Sequence, residues 1–327
     1  MDEMTMLREL GRKLDREPPG TLARQRNRIT TTRAVRGHRR WRPVLAGGVV
    51  LASVAGAIVT QSFGIGDRRP GAVAEAAVVL DRAAAVADGL PRPSPGQYLY
   101  IDGRSWTLTY VDGKGWKGLR AEDSADWLPV DGGKPGLFRL RQSGTGPFPP
   151  NDGAPVPGQD GWTQEWVCDR AMGQEESKVW DLTRPPANCS MEAAYRRDLP
   201  TDASGMLRHL HKDGDGSKED RAWENARDLL GGAIPPPSRA ALFRALRRIP
   251  DVTYVPDTTD ATGRHGVAVA RVVDRHIREE LVFDRTTYAY LGSRSVLVRS
   301  FGGRPAGTVS GATAVRTAYV DQIGRLP

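Results

Sequence analysis

Hydrophobic positions fall into three regimes along the chain: one unbroken run, stretches with a period of three to four, and stretches that alternate. The unbroken run is Val44 to Ile65, 22 residues without a charged side chain. A segment of about 20 such residues, rising 1.5 Å each as a helix, spans the ~30 Å hydrocarbon core of a bilayer. A helix also satisfies every backbone polar group internally, as the lipid interior demands. The pattern therefore predicts a transmembrane helix over 44–65. Its rival is a signal peptide, with Arg39-Arg40 before it and Ala72-Val73-Ala74 as a small-residue cleavage site. Signal-peptide apolar cores are usually about 7–15 residues, shorter than this run.

Beyond it, Val73, Ala76, Ala77, Leu80, Ala83, Ala84 and Ala87 recur at helical spacing, predicting a helix over Ala72–Asp88. Gly89 and Pro91 end it, and the Pro-rich stretch to Gly96 reads as a stiff connector. Residues 66–96 are thus expected as a helical stalk and connector. The period then becomes two. Tyr98 and Tyr100, then Trp106, Leu108 and Tyr110, alternate with small or polar residues, with turns expected at Asp102-Gly103 and Asp112-Gly113. Ten of the 21 residues in 141–161 are Gly or Pro, which predicts a loop. Strands are expected at Thr163–Val167 and Val179–Leu182.

The middle of the chain is helical. Thr201 and Asp202 are cap candidates for a helix over Pro200–His211. Ser217 with Asp220 forms a capping box before the stripe Trp223, Ala226, Leu229 and Leu230, which Gly231-Gly232 closes. A third helix is expected over Ser238–Ile249, with Leu242, Phe243 and Leu246 inward. Alternation then returns at Val252–Val255, Val267–Val273, Glu279–Phe283, Tyr288–Leu291, Val296–Val298 and Ala314–Asp321. Hairpin-linked strands with helices grouped between them predict an α+β domain over 97–327: a curved antiparallel sheet, half-barrel-like, covered by helices.

Charge sharpens the division. Residues 1–42 carry 12 basic and 5 acidic side chains, a net of +7 out of +8 for the whole chain. The remaining 285 residues are close to neutral, so the high isoelectric point belongs to the tail. Arg33, Arg36, Arg39, Arg40 and Arg42 flank the apolar run and hold residues 1–43 in the cytoplasm, leaving 97–327 outside. Anionic lipid headgroups are the expected partner of that tail; no reading helix or stacking aromatics support nucleic acid. The two cysteines, Cys168 and Cys189, both fall on the outer side and are expected to form a disulfide, against the alternative of two buried thiols.

Residues across most of the chain resemble a group of uncharacterised actinobacterial single-pass membrane proteins, typically encoded near extracytoplasmic-function sigma factors. The resemblance rests on Met1-Asp2-Glu3-Met4, the Arg-rich tail and Pro95-Gly96-Gln97-Tyr98. It continues through Trp127-Leu128-Pro129-Val130-Asp131-Gly132, Leu199-Pro200-Thr201-Asp202, Arg264 to Ala270, and Glu280-Leu281-Val282-Phe283-Asp284. It implies architecture and context, and no chemistry. The stretch Leu281 to Tyr288 is also similar to half-barrel envelope proteins that carry lipoproteins or regulate sigma-factor signalling, an analogy of fold.

No nucleophile elbow, P-loop, H-E-x-x-H or dinucleotide fingerprint is present. His209 and His211 stand two apart at a helix end, unlike the i, i+4 pair of zinc sites. Asp213, Asp215, Ser217, Glu219 and Glu224 echo a calcium loop but lack its central glycine. The reading that remains is a non-enzymatic, membrane-anchored envelope protein, without cofactor or metal. It is expected to act as a sensor, regulator or lipid- or peptide-binding module linked to a sigma-factor-related partner. The alternatives are a hydrolase with an unrecognised site or a structural envelope protein. An apolar ligand cleft between sheet and helices is expected at Tyr98, Tyr100, Trp106, Trp223, Phe243, Leu246 and Phe283. The competing outcome is a fully packed core.

Overall fold

The computed structural model describes residues 71–111, 115–143, 161–168, 184–185, 188–214 and 216–327. The basic tail, its five flanking arginines, the apolar run 44–65 and the expected strand 179–182 lie outside the described residues. Among the described residues no helix is long and apolar enough to cross a membrane.

Helix α1 spans Ala72–Asp88. Strands β1 (Tyr98–Val111), β2 (Gly115–Pro129), β3 (Gly136–Ser143) and β4 (Thr163–Val167) follow. Then come α2 (Ala203–Leu210), α3 (Lys218–Leu230) and α4 (Pro236–Leu246). The chain ends in β5 (Thr253–Thr259), β6 (His265–Asp274), β7 (Ile277–Asp284), β8 (Tyr290–Leu297) and β9 (Val309–Val320). The nine strands form one curved, open antiparallel sheet in the order β4-β3-β2-β1-β9-β8-β7-β6-β5. Two meanders are therefore fused where β1 pairs with β9, with Tyr98 opposite Val320 and Thr107 opposite Gly311.

The local reasons are those of the sequence. Asp202 caps α2 by accepting from the Gly205 amide at 2.8 Å. Ser217 and Asp220 cap α3 reciprocally, which accounts for Ser217 without a calcium ligand role. In α4 the first two helical positions are Pro236 and Pro237, where a missing amide hydrogen costs nothing, so the helix begins two residues earlier than expected.

Three expectations need correction. Asp102-Gly103 is not a turn: β1 runs through it, and a Cβ on Gly103 would lie 2.6 Å from Ser124 Oγ on the neighbouring strand. Tyr288–Leu291 and Val296–Val298 are not separate strands but belong largely to β8, whose pairing with β7 shifts register between Val282 and Phe283. Beside that shift, Gly292 adopts φ 152°, and a Cβ there would lie 2.1 Å from Thr313 O. Only glycine lets β8 and β9 approach so closely. Finally, α1 is no stalk. Ala76, Val79, Leu80, Ala83, Ala84 and Ala87 are buried in one core with α2, α3, α4 and the helix-facing side of β6 and β7. The ion pairs Asp88–Arg244 (2.6 Å) and Asp81–Arg247 (2.8 Å) tie α1 to α4 but are exposed, so the apolar stripe holds the helix.

Cys168 and Cys189 are bridged, with Cα atoms 5.1 Å apart. Cys189 packs with Tyr98, Trp127 and Trp166, whereas Met191 and Tyr195, a few residues on, pack with Leu99, Leu128 and Val167. The segment thus passes from one face of the sheet to the other, and the bridge anchors its start at the end of β4. Cys168→Ala should therefore lower stability by about 2–4 kcal/mol in a denaturant titration, the usual loss for a native bridge. Free alkylation of both thiols in the unreduced wild type would contradict the pairing.

Candidate functional site

Alternation decides which side chains meet. Leu99 and Ile101 of β1 face the helices, with Leu128 and Val130 nearby. Farther along β1, the helix-facing positions become Gly103, Ser105 and Thr107. Their register partners include Ser124 and Glu122 on β2, and Val315, Thr313 and Gly311 on β9. Gly311 is buried, and the others named are partly exposed. The helices instead cover the other half of the sheet: α1 lies on β5 and β6, while Trp223 and Phe243 pack on Val267, Val269, Leu281 and Phe283. A strip of small, mostly polar side chains is left beside the helical layer.

Polar groups line the border between strip and helices. From β7, Glu279 points toward α3, where it pairs with Arg227 and accepts from Trp223 Nε1 at 3.1 Å. Burial works against the Arg227 charge, but Glu279 together with Asp228 and Glu224 outweighs it and raises the Arg227 pKa. Tyr290 of β8 lies near Arg227 and near Arg239 of α4. Arg239 has no such carboxylate. One Nη donates to Gly232 O at 3.2 Å, and Nε is buried without a hydrogen-bond partner. Burial pulls its pKa down, opposed only by the Tyr319 and Tyr290 phenols.

Burial pushes the Tyr290 phenol up to about 12, partly offset by the two arginines. Burial also raises Tyr319 and Tyr195 on the same side. A raised folded-state pKa means that the stability these groups lend is complete below pH 10 and is lost as pH rises toward 12. For Tyr290 the loss is on the order of 2–3 kcal/mol. Denaturant midpoints should fall between pH 10 and 12, and Tyr290→Phe should flatten that slope. An unchanged slope in the variant would contradict the burial of this phenol.

On the far face of the sheet, Glu280 is buried and held by Arg278 (2.6 Å) and Thr258 Oγ1 (3.0 Å), with Arg294 Nε at 3.6 Å. Arg294 also donates to Thr258 Oγ1 at 2.8 Å. The adjacent acids Glu279 and Glu280 thus point to opposite faces, each with arginine partners. Both Glu280 oxygens are engaged, by Arg278 and by Thr258, while Arg294 Nε is buried without a hydrogen-bond partner.

The seven residues expected to line a cleft do not converge. Trp223, Phe243, Leu246 and Phe283 lie together at 0–2% exposure in one packed cluster, with the Phe243 and Phe283 rings edge to face at 5.5 Å. Tyr98, Tyr100 and Trp106 sit at even positions of β1, which face away from the helices. Tyr98 and Tyr100 pack there with Trp127 and Trp166, the Tyr100 and Trp127 rings 5.0 Å apart. Parity along β1 makes the separation unavoidable, since one face cannot hold Leu99 and Tyr100 together. An apolar hollow of about 520 Å³ does exist, lined by Val73, Ala77, Leu80, Ile249 and Val252, but it lies where α1 meets the end of α4.

Sequence reasoning missed Arg227, Arg239, Glu279, Tyr290 and Tyr319. The local signal was the adjacent acids Glu279-Glu280 within one strand, which forces one acid onto the helix-facing side.

The domain is an open antiparallel sheet with helices on half of one face. No family model matches the chain, and no curated protein does. Solved structures are similar to it, two of them as follows. The complex of Pseudomonas aeruginosa MucA/MucB shares 15% identity at a TM-score of 0.25, covering 77% of this chain and 58% of that one. The crystal structure of MucB in complex with MucA(peri) shares 15% identity at a TM-score of 0.25, covering 74% and 56%. The chain thus spans less than two thirds of the length of either.

Proposed function

We propose that this chain is a non-enzymatic envelope protein, anchored by the 44–65 helix with residues 1–43 in the cytoplasm. Its α+β domain binds an amphipathic lipid or peptide on the helix-facing side of the sheet. The bound state is passed to a cytoplasmic partner in sigma-factor control. One observation carries the binding role: past Ile101 the helix-facing positions of β1 and their neighbours on β2 and β9 are small, mostly polar and partly exposed. The anchor is supported by the length of the uncharged run and its arginine flank.

Native mass spectrometry of the full chain extracted from membranes should show a co-purifying lipid or peptide. Added protease should degrade the domain in intact protoplasts. A bare polypeptide mass would remove the binding role, and a protected domain would remove the topology. Capture of the cytoplasmic partner should require residues 1–43; capture that survives deletion of the tail would place the contact elsewhere.

A further inference from the structure

Arg227 and Arg239 both act electrostatically on the same tyrosine, Tyr290, yet only one of them is balanced. Arg227 has Glu279. Among the described residues, no carboxylate reaches Arg239. Its side chain donates to a backbone carbonyl, and its Nε is enclosed and unused. Arg239 as a whole is partly exposed, but enclosing part of a guanidinium without a counter-charge is costly, and chains normally avoid it by pairing or by hydrogen bonding every donor. The position is also built. The Arg239 amide donates to Pro235 O at 2.8 Å in the first turn of α4, and the buried neighbour Ser238 ties that turn to Leu199 O at 3.0 Å. Tyr290 borders the helix-side core and Tyr319 the core under β1 and β2, so Arg239 stands where the two cores meet, at the edge of the strip.

We propose that Arg239, with the Tyr290 and Tyr319 hydroxyls, is an anion-binding site that receives the carboxylate or phosphate head of a ligand lying on the strip. The guanidinium offers a planar fork of donors that matches either group in two-point contact. The phenols remain protonated donors, as burial opposes their ionisation. A bound anion would supply the counter-charge that Glu279 supplies to Arg227. This inference rests on the strip being the ligand site.

The test titrates the full-length chain with laurate, dodecyl phosphate and dodecanol, which share a tail and differ in head. Laurate or dodecyl phosphate should bind at least about tenfold more tightly than dodecanol, a difference worth about 1.4 kcal/mol. Arg239→Gln should erase that preference, and Arg239→Lys should keep part of it. Without ligand, Arg239→Gln should melt no lower than wild type, since it removes an unbalanced charge. Equal binding of all three probes, or an unchanged preference in Arg239→Gln, would overturn the anion site while leaving the strip as a ligand site. A variant that melts well below wild type would also overturn it, because Arg239 would then be balanced within the chain. Failure of all three probes to bind saturably would remove both readings. Displacement of dodecyl phosphate by inorganic phosphate alone would support a free anion as the source; resistance to it would support the head of an amphiphile.

Discussion

Glu280→Gln should destabilise the domain by about 3–5 kcal/mol, among the largest losses any single substitution here will produce. Glu280 is 1% exposed and Arg294 8%, so both arginines on the far face depend on this carboxylate for balance. Glutamine keeps the shape and removes the charge, leaving buried Arg294 and partly buried Arg278 beside a neutral amide. The cost arises from the stranded arginines, because a buried pair contributes little net stability over apolar residues of the same volume. Replacing Glu280 together with both arginines by apolar residues should therefore recover much of the loss. A denaturant titration of the single variant within about 1 kcal/mol of wild type would mean that water reaches the cluster.

Phe243→Ala is the second large effect, and it separates a packed core from a cleft. Phe243 is 2% exposed and its ring meets that of Phe283 edge to face. Trp223 and Leu246 belong to the same cluster and are fully buried. Truncating a phenylalanine in such surroundings costs about 3–5 kcal/mol through lost burial and the cavity left behind. Ligand binding on the strip should persist under conditions where the variant stays folded. Had these side chains lined a cleft, the truncation would instead weaken binding and barely change stability. Thermal melts and probe titrations on the same variant distinguish the two.

Local chemistry made the helices readable. The capping box at Ser217, the alanine stripe of α1 and the glycines that end α3 each act within a few residues of the chain. The alternation after Val252 likewise announced strands, and the even cysteine count announced a bridge. What escaped was set by distant partners. The pairing of β1 with β9 joins residues more than 200 positions apart, and it decides which face of β1 meets the helices. Without it, the aromatics of β1 fit either side, and their apolar character alone groups them with the helices. Asp102-Gly103 has the composition of a turn, but the close approach of Ser124 is what gives Gly103 its place in a strand. Arg239 follows three prolines, and the arginines after it form surface contacts with Asp81, Asp88 and Ser204. Nothing in that local pattern marks it as the one whose Nε is enclosed.

The central claim is that a ligand occupies the helix-facing strip, and site-specific photocrosslinking in cells tests it most directly. A photoactivatable residue would replace Ser105, which lies on the strip, or Arg316, which is exposed on the opposite face of β9. The account predicts a lipid or peptide adduct on the full-length chain from position 105 and none from position 316. Adducts of equal yield at both positions, or none at position 105, would contradict it.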